Sequence, residues 1–430
     1  MKELLLLFIS SSLLITPITS SPAFKTTPRF LSKFSNTNKP LTQQNLKYET
    51  QYFTQTLDHF TFSNLPTFQQ RYLINSNYWS GPLQMGPIFF YCGNEGDIEW
   101  FAANTGFVWE IAPRFNALVV FPEHRYYGES MPFGSREKAY ENASSLAYLT
   151  TEQAIADFAV LVTDLKWNLS AKACPVVFGG SYGGMLAAWM RLKYPHIAMG
   201  ALASSAPILQ FEDIVPSETF YDIVSRDFMR ESSSCFDTIK KSWGALEVEG
   251  MKDDGLVQMS SNFRLCQRLN NTKDLSDWLS SAYSYLAMVD YPYPSEFLMP
   301  LPANPIKEVC REIDSYPNGT SVLERIFAGV SIYYNYTGTV DCFDLGDDPH
   351  GMSGWDWQAK QCIKEFGIKP RPQWVTTEFG GHDIRTTLRT YGSNIIFSNG
   401  LLDPWSGGGV LQNVSETIVA LVTAEGMTRE

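Results

Sequence analysis

A chain of 430 residues with 44% hydrophobic content can bury a large core, either as one catalytic domain with a sizeable insertion or as two domains. Its net charge of -12 comes without any basic run, which argues against nucleic acid and anionic membrane surfaces as partners. The seven cysteines, Cys92, Cys174, Cys235, Cys266, Cys310, Cys342 and Cys362, lack zinc-ligand spacing, and in an oxidising lumen most of them should pair; no metal site and no cofactor is expected for the chain. Five lie between Cys235 and Cys362, where the disulfides are expected, while Cys92 and Cys174 read as small buried thiols.

The chain opens Met1-Lys2-Glu3, continues apolar from Leu4 to about Ile15 and then turns to small and hydroxyl residues. This is a signal-peptide pattern over residues 1–20, too short for a spanning helix, and no later stretch is long enough to cross a bilayer. Residues 21–48 are rich in Ser, Thr, Asn, Pro and Lys and read as a propeptide or flexible arm. Asn142, Asn168, Asn270, Asn318, Asn335 and Asn413 each head an Asn-x-Ser/Thr triplet, which agrees with passage through the secretory route.

From residue 49 to 210, strand-like and helix-like segments alternate. Arg71 to Ile74, Pro87 to Cys92 and Ala117 to Pro122 read as strands, Thr151 to Trp167 as a helix, and Gly200 to Pro207 as another strand and its end. Such alternation predicts an α/β fold with a mainly parallel sheet covered on both faces.

Val176-Val177-Phe178-Gly179-Gly180-Ser181-Tyr182-Gly183-Gly184 reads as a short strand, a glycine-rich elbow and a helix beginning near Met185. In G-x-S-x-G the serine occupies a strained turn, and flanking glycines let strand and helix pass closely while Oγ points outward. Ser181 is therefore the candidate nucleophile. The backbone N–H of Tyr182 and the loop Tyr91-Cys92-Gly93-Asn94-Glu95-Gly96-Asp97, with Gly93 and Asn94 at its centre, are candidate oxyanion donors. Glu123-His124-Arg125-Tyr126-Tyr127-Gly128-Glu129-Ser130, directly after a buried strand, suggests a hydrogen-bonded scaffold near the pocket, with His124 structural rather than catalytic.

Residues 211–374 change character, with helical spacing, cysteines and Pro/Tyr-rich connections such as Asp290-Tyr291-Pro292-Tyr293-Pro294. A helical cap inserted after the sixth strand is the simplest account, and such a cap normally selects substrates. The sheet resumes in residues 375–430: Ser393 to Ser398 is a strand that puts Asp403 in the place of the triad acid, and Thr417 to Thr423 is the last strand. The histidine should follow that strand, but no histidine follows Asp403. His59, His124, His196 and His350 lack the context of a third triad member, and His382 reads as a surface-loop residue.

Tyr91 to Asp97, Glu123 to Ser130, Gly179 to Trp189, Ala203 to Pro207, Ala287 to Tyr293 with Pro300-Leu301-Pro302, Trp374 to Thr377 and Asn399 to Gly409 together resemble the serine peptidase family of the lysosomal Pro-Xaa carboxypeptidases. That family also includes dipeptidyl peptidase II. The likeness runs from about Tyr52 to Thr423, Phe211 to Pro216 leans toward the carboxypeptidase branch, and the chain as a whole resembles plant-type members. It implies an α/β-hydrolase sheet with a large helical cap, a vacuolar, lysosomal or extracellular home, and removal of a C-terminal residue that follows proline. Ser181 and Asp403 match the family's nucleophile and acid, and peptides with a penultimate proline are the implied substrates; a homodimer is left open, since sequence does not give the oligomeric state.

The chain departs from the family pattern after Glu425-Gly426, where Ala-His-His and a closing helix are expected, between Ala359 and Lys360, where a further cysteine-bearing segment is expected, and in the strand before Ser181, which looks one residue short. These departures lead to the expectation of a truncated C-terminus, from splicing or an incomplete gene model. The alternatives are therefore a non-catalytic isoform that binds proline peptides or a partner subunit, a dipeptidyl peptidase II-like activity, and an esterase on the same fold.

Overall fold

The computed structural model describes residues 47–297, 299–317, 319–345, 362–364 and 366–427. The expected signal peptide, nearly all of the arm, the Asn318 sequon and His350 lie outside the described residues.

Eight strands form one sheet: β1 (Glu49–Thr56), β2 (Thr67–Asn75), β3 (Ile88–Tyr91), β4 (Leu118–Pro122), β5 (Val176–Gly180), β6 (Gly200–Ser204), β7 (Ile395–Gly400) and β8 (Ile418–Thr423). Their spatial order is β1-β2-β4-β3-β5-β6-β7-β8. The β1–β2 and β2–β4 pairs are antiparallel, and every pair from β4 through β8 is parallel. The central strands show why. β3 (Ile-Phe-Phe-Tyr) and β4 (Leu-Val-Val-Phe-Pro) are buried at every position, as strands covered on both faces must be.

Alternate residues feed two separate cores. Phe90, Val120, Val177, Ala203 and Phe397 pack with the helices α5 (Thr151–Asn168) and α6 (Ser181–Lys193). Phe89, Val119, Phe121 and Phe178 pack on the opposite face with α1 (Ile98–Asn104), α2 (Gly106–Phe115) and the helices inserted later in the chain. Two short helices, α3 (Arg136–Ala139) and α4 (Ala143–Leu146), lie between β4 and α5. Apolar side chains recur through α5, and the hydroxyl of Thr150 caps it by accepting from the Gln153 N–H. This mostly parallel sheet, with a serine-bearing turn from β5 into α6, is the α/β-hydrolase arrangement.

Between β6 and β7 the chain is helical: α7 (Thr219–Glu231), α8 (Ser233–Gly250), α9 (Gly255–Asn262), α10 (Thr272–Met288), α11 (Pro305–Ser315), α12 (Val322–Asn335), α13 (Trp374–Phe379) and α14 (Ile384–Tyr391). Two disulfides staple this segment. Cys235–Cys310 joins α8 to α11, and Cys266–Cys342 joins the connections that follow α9 and α12. They close loops of 75 and 76 residues, for which chain entropy alone gives roughly 4 kcal/mol each. The Cys92 thiol is buried and unbridged, and Cys174 is half-buried and unbridged.

One local expectation changes. The helix after β5 begins at Ser181 itself rather than near Met185, because the turn is so tight that the serine is both the corner and the first helical residue.

Candidate active site

Ser181 sits at the carboxyl end of β5 with φ of +53°, in the left-handed region that L-residues avoid. Sustained strain at a serine between strand and helix marks a nucleophile elbow. The close approach that permits it is visible at Gly183, where a Cβ would fall 2.4 Å from Asn94 Oδ1 and 2.6 Å from the Cys92 carbonyl oxygen. No side chain larger than hydrogen fits there. Ser181 itself is half-buried.

The loop after β3 lies against this elbow. Asn94 donates from Nδ2 to the Gly180 carbonyl at 2.8 Å and accepts at Oδ1 from the Tyr91 hydroxyl at 3.0 Å. Gly93 is required because a Cβ there would come within 2.2 Å of the Pro122 carbonyl oxygen at the end of β4. Thus Ser181, Tyr182, Gly93 and Asn94 are brought together. Tyr182 is the second residue of α6, so its N–H belongs to the first turn, whose donors have no partner within the helix.

Asp403 stands beyond β7, which is separated from β5 by β6 alone. Two strand spacings put the ends of β5 and β7 about 10 Å apart. Asp403 is buried, accepts at Oδ1 from the Trp405 N–H at 3.0 Å, and is hydrogen-bonded by the side chain of Ser205 at the end of β6. Burial pushes its pKa up to about 6, and these two hydrogen bonds hold it back from rising further.

The four described histidines are engaged elsewhere. His59 Nε2 meets Asp157 Oδ1 at 2.7 Å, His124 bonds to the Arg125 carbonyl and the Tyr182 phenol, and His382 Nε2 meets Thr376 Oγ1 at 2.8 Å. His196 is exposed beside the Tyr194 ring.

Sequence reasoning did not single out two further acids, Asp227, which feels the charge of Asp403, and Asp290, which acts on Asp227. Asp227, on α7, is buried with Oδ2 lacking a hydrogen-bond partner, and its pKa is pushed up to about 7, first by burial and then by the Asp290 carboxylate. Asp403 adds a smaller repulsion, while Arg226 and Arg230 oppose the rise. Asp290 accepts from the Ile306 N–H at 3.0 Å, and burial raises its pKa to about 6. Helix α7 reaches this position because it packs on the 3₁₀ turn Pro404–Gly408: Phe220 meets the Trp405 ring at 4.8 Å, and a Cβ on Gly407 would come within 2.5 Å of Thr219. No local signal in the sequence gives that packing.

The sequons are placed in different settings. Asn142, Asn168, Asn270 and Asn413 are exposed, whereas the Asn335 amide is half-buried and bonded to both backbone groups of Val340. Among the described residues, no helix is long and apolar enough to cross a membrane.

Residues 55–368 match the family model for serine carboxypeptidase S28. The chain is 42% identical over 462 residues to the lysosomal Pro-X carboxypeptidase of Homo sapiens, covering 99% of this chain and 91% of the relative. The protein of the same name from Bos taurus is 44% identical over 419 residues, covering 89% of this chain and 82% of the relative. Prolyl carboxy peptidase like protein 5 of Caenorhabditis elegans is 36% identical over 432 residues, covering 88% and 84% respectively. With a strained serine at the elbow, a buried acid two strands away and this likeness over nearly its whole length, the chain belongs to the serine carboxypeptidase S28 family.

Proposed function

We propose that this chain is a serine exopeptidase that releases the residue following a penultimate proline from the C-terminus of peptides, through an acyl-enzyme on Ser181. The observation that carries this reading is the strained Ser181 at the end of β5, with the loop after β3 hydrogen-bonded to its elbow. In the proposed chemistry Ser181 Oγ attacks the carbonyl carbon of proline, and negative charge builds on the carbonyl oxygen. The Tyr182 N–H and a donor from the Gly93–Asn94 loop receive that charge, and a base oriented by Asp403, a role that none of the four described histidines fills, takes the serine proton and passes it to the departing amine. Water then releases the acyl group.

The names of the mammalian relatives support peptides of the Pro-Xaa type and a lysosomal or vacuolar home reached through the secretory pathway. Residues 1–20 as signal peptide, residues 21–48 as arm, a core from 49 to 210 and from 375 to 430, and a cap over 211–374 form the domain plan that goes with this reading. Exposure supports glycan attachment at Asn142, Asn168, Asn270 and Asn413.

One observation favours a second reading. Each of the four described histidines has a partner other than Ser181 and Asp403, which suits a chain that binds proline peptides without cleaving them.

Incubation with a fluorophosphonate and with a peptide ending in Pro-Xaa separates the readings. The proposed function expects labelling and release of the C-terminal residue, with labelling abolished and release reduced by roughly 10^4 to 10^6 in Ser181→Ala. Release of an amino-terminal dipeptide, or hydrolysis of simple esters alone, would overturn it. Binding of the peptide with neither labelling nor release would establish the second reading.

A further inference from the structure

The Tyr182 side chain is fully buried beneath the elbow, and its hydroxyl lies 3.0 Å from His124 Nε2. The other ring nitrogen of His124, Nδ1, lies 2.7 Å from the Arg125 carbonyl oxygen. A carbonyl can only accept, so Nδ1 carries the proton. In the neutral ring Nε2 is then the acceptor, and the Tyr182 phenol donates to it. The Thr151 hydroxyl, at 3.3 Å, completes the phenol's surroundings. Burial pushes the His124 pKa down to about 4, which keeps the ring neutral over most of the acidic range.

His124 is itself held from behind. The Arg125 guanidinium is fully buried and satisfies all five of its N–H groups: Nε and Nη2 donate to Asp157 at 2.7 and 2.6 Å, Nη1 to the Leu57 and Tyr148 carbonyls, and Nη2 also to the Thr56 carbonyl. Asp157, on α5, receives a further bond from His59 Nε2 at 2.7 Å. The network therefore ties β1, the end of β4 and α5 to one phenol, and that phenol belongs to the residue whose backbone N–H follows the nucleophile.

We propose that His124 is a positioning residue for the oxyanion hole: clamped by Arg125 and Asp157, its Nε2 holds the Tyr182 phenol and so fixes the direction of the Tyr182 backbone N–H. This rests on the reading of Ser181 as nucleophile. Removing an oxyanion donor outright costs about 10²–10³ in rate, so loosening one donor should cost less, roughly tenfold. The loss falls on the acylation step because the donor matters only as charge develops.

The test uses four variants. Tyr182→Phe deletes the donor. His124→Asn keeps a group near the Arg125 carbonyl but deletes the acceptor at the Nε2 position, whereas His124→Gln reaches that position again. The double variant Tyr182→Phe/His124→Asn reports whether the two act through one bond. Expected are a roughly tenfold fall in the maximal labelling rate by a fluorophosphonate for both single variants with half-saturation unchanged, no further fall in the double variant, and recovery in His124→Gln. Parental labelling rates in both single variants, or losses that track melting temperature and are not recovered by His124→Gln, would overturn the proposal. If the parent chain does not label, the proposed function fails instead. The inference is then read from the Tyr182 amide in ¹H–¹⁵N spectra: its resonance and hydrogen exchange should change in His124→Asn and return in His124→Gln, and an unchanged amide would refute it.

Discussion

The side-chain amide of Asn94 donates to the carbonyl oxygen of Gly180 at 2.8 Å, so the loop after β3 is anchored to the residue immediately before the strained Ser181. The same side chain accepts from the Tyr91 hydroxyl, and both bonds are buried. Asn94→Ala removes both of these buried hydrogen bonds and should lower stability by roughly 1–3 kcal/mol. Asn94→Asp keeps the acceptor for Tyr91 but sets a carboxylate against the Gly180 carbonyl. It should therefore slow fluorophosphonate labelling at least as much as alanine does. Urea denaturation and labelling kinetics check this, and a variant with parental values in both would show that the loop does not depend on the bond.

Gly183 gives a prediction of a different kind, since what matters there is space. Its missing Cβ would overlap Asn94 Oδ1 and the Cys92 carbonyl, and the carbonyl is backbone that cannot rotate away. Gly183→Ala should cost roughly 1–3 kcal/mol as an overpacking change and displace the loop that carries Gly93 and Asn94. Gly244→Ala is the control, because a Cβ there meets nothing within 4 Å. Equal stability of the two variants, measured by thermal melting, would contradict the packing argument.

The residues that the sequence made legible are those whose chemistry is local. Ser181 announces itself through glycines two positions either side, and Asp403 through a strand that ends beside Asn399-Gly400. The Gly93–Asn94 loop is legible because it follows an apolar run. His124 was readable as part of a polar scaffold, but its partner Tyr182 lies 58 residues away and the His59–Asp157 contact spans 98. Nothing in a local pattern joins such pairs. Asp227 and Asp290 were invisible for the same reason: each looks like an ordinary polar residue until α7 is laid on the turn that follows Asp403. Cysteine spacing likewise gave the region of the disulfides and not the pairing of Cys235 with Cys310 or Cys266 with Cys342.

Those two bridges lie wholly within the helical segment between β6 and β7, so their removal should weaken that segment before the sheet. Cys266→Ser/Cys342→Ser and Cys235→Ser/Cys310→Ser should each lower stability by up to roughly 4 kcal/mol. Hydrogen exchange should increase first in α8 to α12, while β3 to β6 keep their protection. Equal loss of protection in helices and sheet would mean that the two parts unfold as one cooperative unit.

Asp227 makes the stability of the protein depend on pH in a direction that can be worked out. Its folded pKa, raised to about 7, exceeds the ordinary value of 3.8, so the folded chain binds a proton that the unfolded chain has already lost. The favourable contribution is complete below the unfolded value and disappears as pH rises through about 7. Asp290 and Asp403, raised to about 6, act in the same direction, and His124, lowered to about 4, acts in the opposite one. Because these other groups remain in both proteins, comparing Asp227→Asn with the parent reports the Asp227 contribution together with its coupling to Asp290 and Asp403. The variant carries no charge to bury, so its melting temperature should gain on the parent's steadily from pH 4 to pH 8, by a few degrees at the upper end. A difference that stays constant across this range would mean that the Asp227 carboxyl titrates alike in the folded and unfolded chains, and that its burial beside Asp290 carries no electrostatic cost.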